Sequence, residues 1–155
     1  MKIRKFSCSL FLPRPLDEVF PFFSDAHNLE QITPSWLNFK VLTPSPVEMK
    51  PGTLIDYKIR LRGLPIRWQS EITIWEPGVR FVDEQRRGPY RQWHHEHRFE
   101  SRDGGTLCTD VVHYAVWFDF MVHALLIRPD IERIFAFRQK ELARLFPARM
   151  ATEQC

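Results

Sequence analysis

The chain has 155 residues, enough for one domain with an ordinary core, and its 22 basic and 19 acidic side chains leave a formal charge of +3. The charges are interspersed, with Arg86-Arg87 the nearest approach to a basic cluster, so no nucleic-acid partner is implied. No run of about eighteen apolar residues suggests a membrane span, the N-terminus lacks a signal peptide's apolar core, and the scattered Cys8, Cys108 and Cys155 fit reduced thiols in a cytoplasmic protein.

Residues 3 to 12 alternate as a strand, with Phe6, Cys8, Leu10 and Leu12 on one face, until Pro13 and Pro15 stop it. A short helix begins at Leu16, with Asp17 and Glu18 in the turn where acidic groups suit the helix dipole. Val19, Phe22 and Phe23 form its apolar stripe, and a second helical piece spans Asn28 to Ile32.

From Trp36 onward the pattern predicts strands and turns. One strand covers residues 37 to 43, and residues 44 to 52 connect it to an alternating strand at 53 to 62. Gly63-Leu64-Pro65 turns the chain into a strand at 66 to 76, whose inner face carries Ile66, Trp68, Ser70, Ile72 and Ile74. Two further strands are joined by Gly88-Pro89, and Asp103-Gly104 opens the last, at 106 to 118. Its two faces are nearly balanced, and the face carrying Asp110 and Tyr114 is assigned inward. Ile131, Phe135, Arg138, Leu142 and Leu145 then recur at helical spacing. Pro129 fits the first turn of a main helix at 129 to 146, preceded by a shorter helical piece or lid at 120 to 127. The expected domain covers residues 1 to 147, with a frayed tail at 148 to 155.

The stretch from Val79 to Glu100 carries the unusual chemistry. Trp93, His95, His97 and Phe99 share one strand face, so two imidazoles accompany the large hydrophobes inward. Phe81 takes Asp83 and Gln85 with it in the same way. Polar groups on a core-facing surface need partners or a wet cavity. A curved antiparallel sheet covered by one long helix does not close along its full length, which predicts a pocket between them.

Several segments carry a resemblance. They are Leu16-Asp17-Glu18-Val19-Phe20, Phe23-Ser24-Asp25-Ala26, Pro34-x-Trp36-Leu37 and Gly52-x-x-Ile55-Asp56-Tyr57, then Trp75-Glu76-Pro77 and Phe81-Val82-Asp83-Glu84-Gln85. Gly88-Pro89-Tyr90, Trp93-x-His95-x-His97-x-Phe99, Gly104-Gly105-Thr106 and Ile134-Phe135 complete the series. In this order the chain, from about residue 3 to 146, resembles the bacterial START-like (SRPBCC) superfamily, the helix-grip fold shared with polyketide cyclases and lipid-transfer domains. The resemblance implies an α+β helix-grip fold and a deep apolar cavity for a small hydrophobic or amphipathic molecule. One departure is Val116-Trp117-Phe118-Asp119-Phe120-Met121, where relatives commonly carry a Pro/Gly turn.

The expected lining is Tyr57, Trp68, Phe81, Asp83, Gln85, Trp93, His95, His97, Asp110 and Tyr114, with Ile131, Phe135 and Arg138 approaching from the helix. A cofactor-free cyclase, isomerase or dehydratase would use His97 or His95 with Asp83 for proton transfer. A third reading is an interaction module with a vestigial cavity. His95 and His97, with Cα atoms about 7 Å apart, have spacing that can share a metal, and Asp83, Asp110 or His113 could complete it. No third ligand is fixed by the pattern, and the aromatic surroundings suit an organic guest, so neither metal nor cofactor is expected. A homodimer is compatible with the sequence.

Overall fold

The computed structural model describes residues 1–117 and 120–150. Alternating hydrophobicity builds strands β1 (Arg4–Leu12), β2 (Lys40–Val41), β3 (Leu54–Leu61), β4 (Leu64–Glu76), β5 (Arg80–Arg87), β6 (Gln92–Arg102) and β7 (Gly105–Ala115). They form one antiparallel sheet in the order β1-β7-β6-β5-β4-β3-β2. Helix α1 (Leu16–Phe23) and two 3₁₀ segments, Ala26–Ile32 and Ser35–Leu37, connect β1 to β2. Helix α3 (Arg128–Leu145) follows β7 through the short α2 (Phe120–Val122) and a π-helical turn at His123–Ile127.

The covering helix buries Ile131, Phe135, Arg138 and Leu142, a stripe spaced by four, three and four residues. At one end, α1 and the first 3₁₀ segment join it over a filled core of Leu12, Val19, Ile32, Phe81, Phe99, Cys108 and Leu142. Phe20 meets Phe99 edge-on at 5.2 Å there. A second cluster lies near β3, around Ile55, Tyr57 and Ile72. A third, Val112, Tyr114, Ile131 and Phe135, lies where α3 begins. The space between these clusters is the interior cavity.

Several elements differ from the sequence-based expectations. The strand expected at 37 to 43 shrinks to Lys40–Val41, because Ser35–Leu37 coils as 3₁₀ and Asn38 enters the left-handed region at φ 44°. The β3–β4 turn is Arg62-Gly63 rather than Gly63-Leu64-Pro65. Both residues have positive φ, 49° and 82°, which matches the twist of a two-residue hairpin and lets Leu61 pair with Leu64. A register shift between Ile72 and Ile74 interrupts the period of two in β4. Trp75, not Ile74, therefore packs inward, with its ring 5.4 Å from Phe81 and 5.5 Å from Phe20.

Strand β7 ends at Ala115, short of the expected 118. Phe118 and Asp119, in the run that departs from the family pattern, lie outside the described residues, as do residues 151–155 of the expected tail and Cys155 among them. Pro129 does not open a separate helix. The π turn widens the coil just ahead of it, with the Arg128 N–H donating to the His123 carbonyl, so helical structure continues from Phe120 to Leu145. No helix among the described residues is long and apolar enough to cross a membrane.

Candidate functional site

The site is built across three neighbouring strands. In β6, His95 and His97 point inward because Trp93 and Phe99 on the same face do. The register sets Asp83 of β5 opposite His95, and Asp110 of β7 opposite His97. The assignment of the Asp110–Tyr114 face as inward therefore matches the strand's orientation. The hydrogen bonds run diagonally: His97 Nε2 lies 2.8 Å from Asp83 Oδ2, and His95 Nε2 lies 2.7 Å from Asp110 Oδ1. The directly facing pairs are looser, with His95 Nδ1 3.6 Å from Asp83 Oδ2 and His97 Nδ1 3.3 Å from Asp110 Oδ1. The latter contact is poorly aimed, so the buried His97 Nδ1 has no hydrogen-bond partner.

Aromatic rings fix the imidazoles in place. Phe81 stacks on His97 at 4.0 Å, and Phe135 of α3 meets His95 edge-on at 5.4 Å. The two imidazoles themselves lie 3.7 Å apart. Arg138, also from α3, brings Nη1 within 3.7 Å of Asp110 Oδ1 and is itself buried.

The electrostatics follow from these contacts. Burial alone would raise both carboxyls. Hydrogen bonds from the imidazoles, with the Arg138 charge, hold Asp83 below its ordinary value and Asp110 well below it. The imidazoles diverge. Burial and the charge of its neighbour push His95 down, whereas the two flanking carboxylates overcome burial and raise His97. The opposite shifts make His97 rather than His95 the imidazole that takes up a proton, beside two carboxylates and the Arg138 guanidinium. With that proton the arrangement carries no net charge, the condition under which a buried ionic network persists.

This network forms one wall of a cavity of about 190 Å³. Asp83, His95, His97 and Arg138 border it, beside Phe81, Trp93, Ile131 and Phe135. Tyr57 and Trp68 close it from β3 and β4, where Trp68 Nε1–H donates to Ser70 Oγ at 3.1 Å. Burial pushes the Tyr57 hydroxyl's pKa up, so it remains a neutral phenol.

Three expected lining residues lie elsewhere. Gln85 folds back on the β5–β6 turn, donating to the Tyr90 carbonyl at 2.8 Å and accepting from the Tyr90 N–H at 3.2 Å. Asp110 lies behind the imidazoles, not on the cavity wall. Tyr114 turns to α3's approach, where its hydroxyl and His123 Nε2 share a hydrogen bond of 2.8 Å; burial and the nearby Arg4, Arg128 and Lys2 charges push that imidazole's pKa down.

Conversely, Phe22, Phe23, Leu29, Phe39 and Tyr90 line the cavity although none was among the expected lining residues. The short helices carry the first three, and their apolar stripe was the available signal. Tyr90 sits in a turn, where no periodicity indicates direction.

Residues 12–140 match the family described as polyketide cyclase / dehydrase and lipid transport. The chain belongs to that family. Solved structures share its fold. A protein from Chromobacterium violaceum is 15% identical with a TM-score of 0.72, over 92% of this chain and 96% of the other. A major latex-like protein from Panax ginseng is 12% identical with a TM-score of 0.69, over 93% and 97%. A nucleoside-diphosphate sugar epimerase from Corynebacterium glutamicum is 22% identical with a TM-score of 0.64; the match covers 90% of this chain but 28% of the epimerase. No curated protein matches. The family and the helix-grip fold are those of ligand-binding and cyclase-like proteins.

Proposed function

We propose that this protein, acting in the cytoplasm, binds a small hydrophobic or amphipathic molecule between its sheet and α3. The carrying observation is an interior space of about 190 Å³, walled mostly by aromatic and aliphatic side chains, with Asp83, His95, His97 and Arg138 grouped on one wall and Asp25, Asn28, Thr33 and Ser70 also reaching it. A cavity of about 150 Å³ lined by apolar groups holds benzene, so this one suits a ring-sized guest with one polar end. Apolar walls supply affinity, and the few convergent polar groups orient the guest.

Native mass spectrometry of the purified protein, followed by solvent extraction, tests this reading. A co-purifying organic molecule that dissociates on denaturation supports it. An empty protein that also takes up no aromatic probe such as naphthol defeats it.

A second reading rests on the 2.8 Å contact of His97 Nε2 with Asp83 Oδ2 at the cavity wall. A carboxylate-supported imidazole facing a guest is equipped for proton transfer in a cyclase, isomerase or dehydratase reaction. His97→Asn separates the two: a binder changes affinity alone, whereas an enzyme loses turnover far more than affinity.

A further inference from the structure

We propose that Asp83, His95 and His97 form a binding site for a divalent first-row transition ion, facing the cavity and backed by Asp110. Two histidines and one carboxylate with remaining positions open is a recurrent ligand set for such ions. The three residues offer donor atoms within 4.8 Å of one another. Around an ion at about 2.1 Å, adjacent ligand atoms lie roughly 3–3.5 Å apart. His97 Nε2 and Asp83 Oδ2 are 2.8 Å apart, and His95 Nδ1 and Asp83 Oδ2 are 3.6 Å apart, so small side-chain shifts suffice.

The surroundings point the same way. A metal-bound imidazole almost always gives its other N–H to a carboxylate or carbonyl. Here a single oxygen, Asp110 Oδ1, lies 2.7 Å from His95 Nε2 and 3.3 Å from His97 Nδ1. Those are the nitrogens turned away from Asp83. Asp110 thus stands behind both rings while their opposite nitrogens converge on Asp83. Arg138 Nη1 lies 3.7 Å from the same oxygen and complements its charge.

The ion-free arrangement leaves room for this. With Nε2–H donated to Asp110, His95 turns its other nitrogen, Nδ1, to the Asp83 carboxylate at 3.6 Å, beyond a hydrogen bond. A cation between them would bond to both. His97 likewise turns Nε2 to Asp83 and its buried, unpartnered Nδ1 toward Asp110. The open coordination positions face the apolar cavity, where the ion would hold a hydroxyl or carbonyl oxygen of a guest and polarise it. The site is independent of whether a guest binds, and its test uses none.

The full chain, stripped with chelator and dialysed, is titrated with cobalt(II) alone and followed by visible absorption. The expected result is saturation at one ion per chain, with d–d bands of a low-coordinate N/O site. Asp83→Asn and His97→Gln should each weaken binding by about 100-fold or more, and Asp110→Asn by about 10–100-fold. Substituting the outward His94 and His113 together by alanine should change nothing. Circular dichroism checks that each variant folds. If the Asp83 or His97 variants fail to fold, the unmodified protein decides. Hyperfine-shifted NMR signals must then report one histidine bound through Nδ1 and one through Nε2. No saturable cobalt binding, unchanged affinity in the folded variants, or loss of binding only in the His94/His113 variant would each overturn the proposal.

Discussion

Asp83 bonds to His97, two residues along β6, rather than to His95, which faces it across the strand pair. The diagonal choice is repeated by Asp110, which bonds to His95 while facing His97. Diagonal neighbours on a sheet lie within reach of long or aromatic side chains. Crossing the pairs ties β5, β6 and β7 together through two residues of the central strand. Each carboxylate therefore answers to both imidazoles, and the four groups behave as a unit.

The first prediction concerns that unit's stability. Asp110→Ala leaves the buried Arg138 guanidinium without its carboxylate and His95 without its hydrogen-bond partner, and breaking a buried pair from one side costs about 3–5 kcal/mol. Asp83→Ala removes one imidazole bond and no arginine contact, so its loss should be smaller. Urea unfolding of the two variants beside the parent protein measures the difference.

The second concerns pH in metal-free protein. Asp83 and Asp110 fold with carboxyls below the ordinary 3.8, so their stabilisation is whole above that value and drains away as pH falls through the folded ones. His97 is raised above 6.5, so its contribution is present below that value and lost as pH climbs through its folded pKa. His95 is lowered and works in the opposite sense over the same range. Stability should thus vary gently around pH 6.5 and fall steeply below about pH 4. Asp110→Asn should flatten the acid limb in thermal melts taken across pH.

The third concerns the thiols. Burial, with the Asp110 charge second, pushes the pKa of Cys8 and Cys108 up to about 12. At pH 8 the reactive thiolate is then roughly a thousandfold scarcer than for an ordinary cysteine. Mass spectrometry after brief iodoacetamide treatment should find both unmodified in folded protein and alkylated in urea.

The fourth concerns the helix side of the cavity. Phe135 touches the Phe6 ring at 4.8 Å and the His95 ring at 5.4 Å. Phe135→Ala should cost about 3–5 kcal/mol and enlarge the cavity. Increased uptake of a larger aromatic probe such as anthracene, alongside a lowered melting temperature, is the expected pair of readouts.

Much of this site was legible because a strand's period is two. Once Trp93 and Phe99 face inward, His95 and His97 must follow, and Phe81 carries Asp83 with it. The arc of helical residues from Ile131 to Leu142 was equally plain. What stayed hidden were events that break a period. The register shift after Ile72 exchanges Ile74 for Trp75 without any glycine or proline to announce it. Gln85 obeys the same alternation as Asp83, yet the turn captures its amide. The crossed bonding of the two histidines depends on rotamers, and alternation constrains only which face a side chain leaves from. Asp110 was assigned to the inward face correctly, but its place behind the rings follows from the register of two strand pairs together.

The sheet places β1 beside β7, with Arg4 opposite Tyr114. During synthesis the first strand therefore emerges well before β7, its neighbour in the sheet, exists. At 5–20 residues per second the delay is roughly 5–20 s. Throughout it, Leu10 and Leu12 lack the Cys108 and Leu142 side of their core, and Phe6 lacks Val112 and the still later Phe135 of α3. Moving β1 by circular permutation to follow α3 would remove the wait.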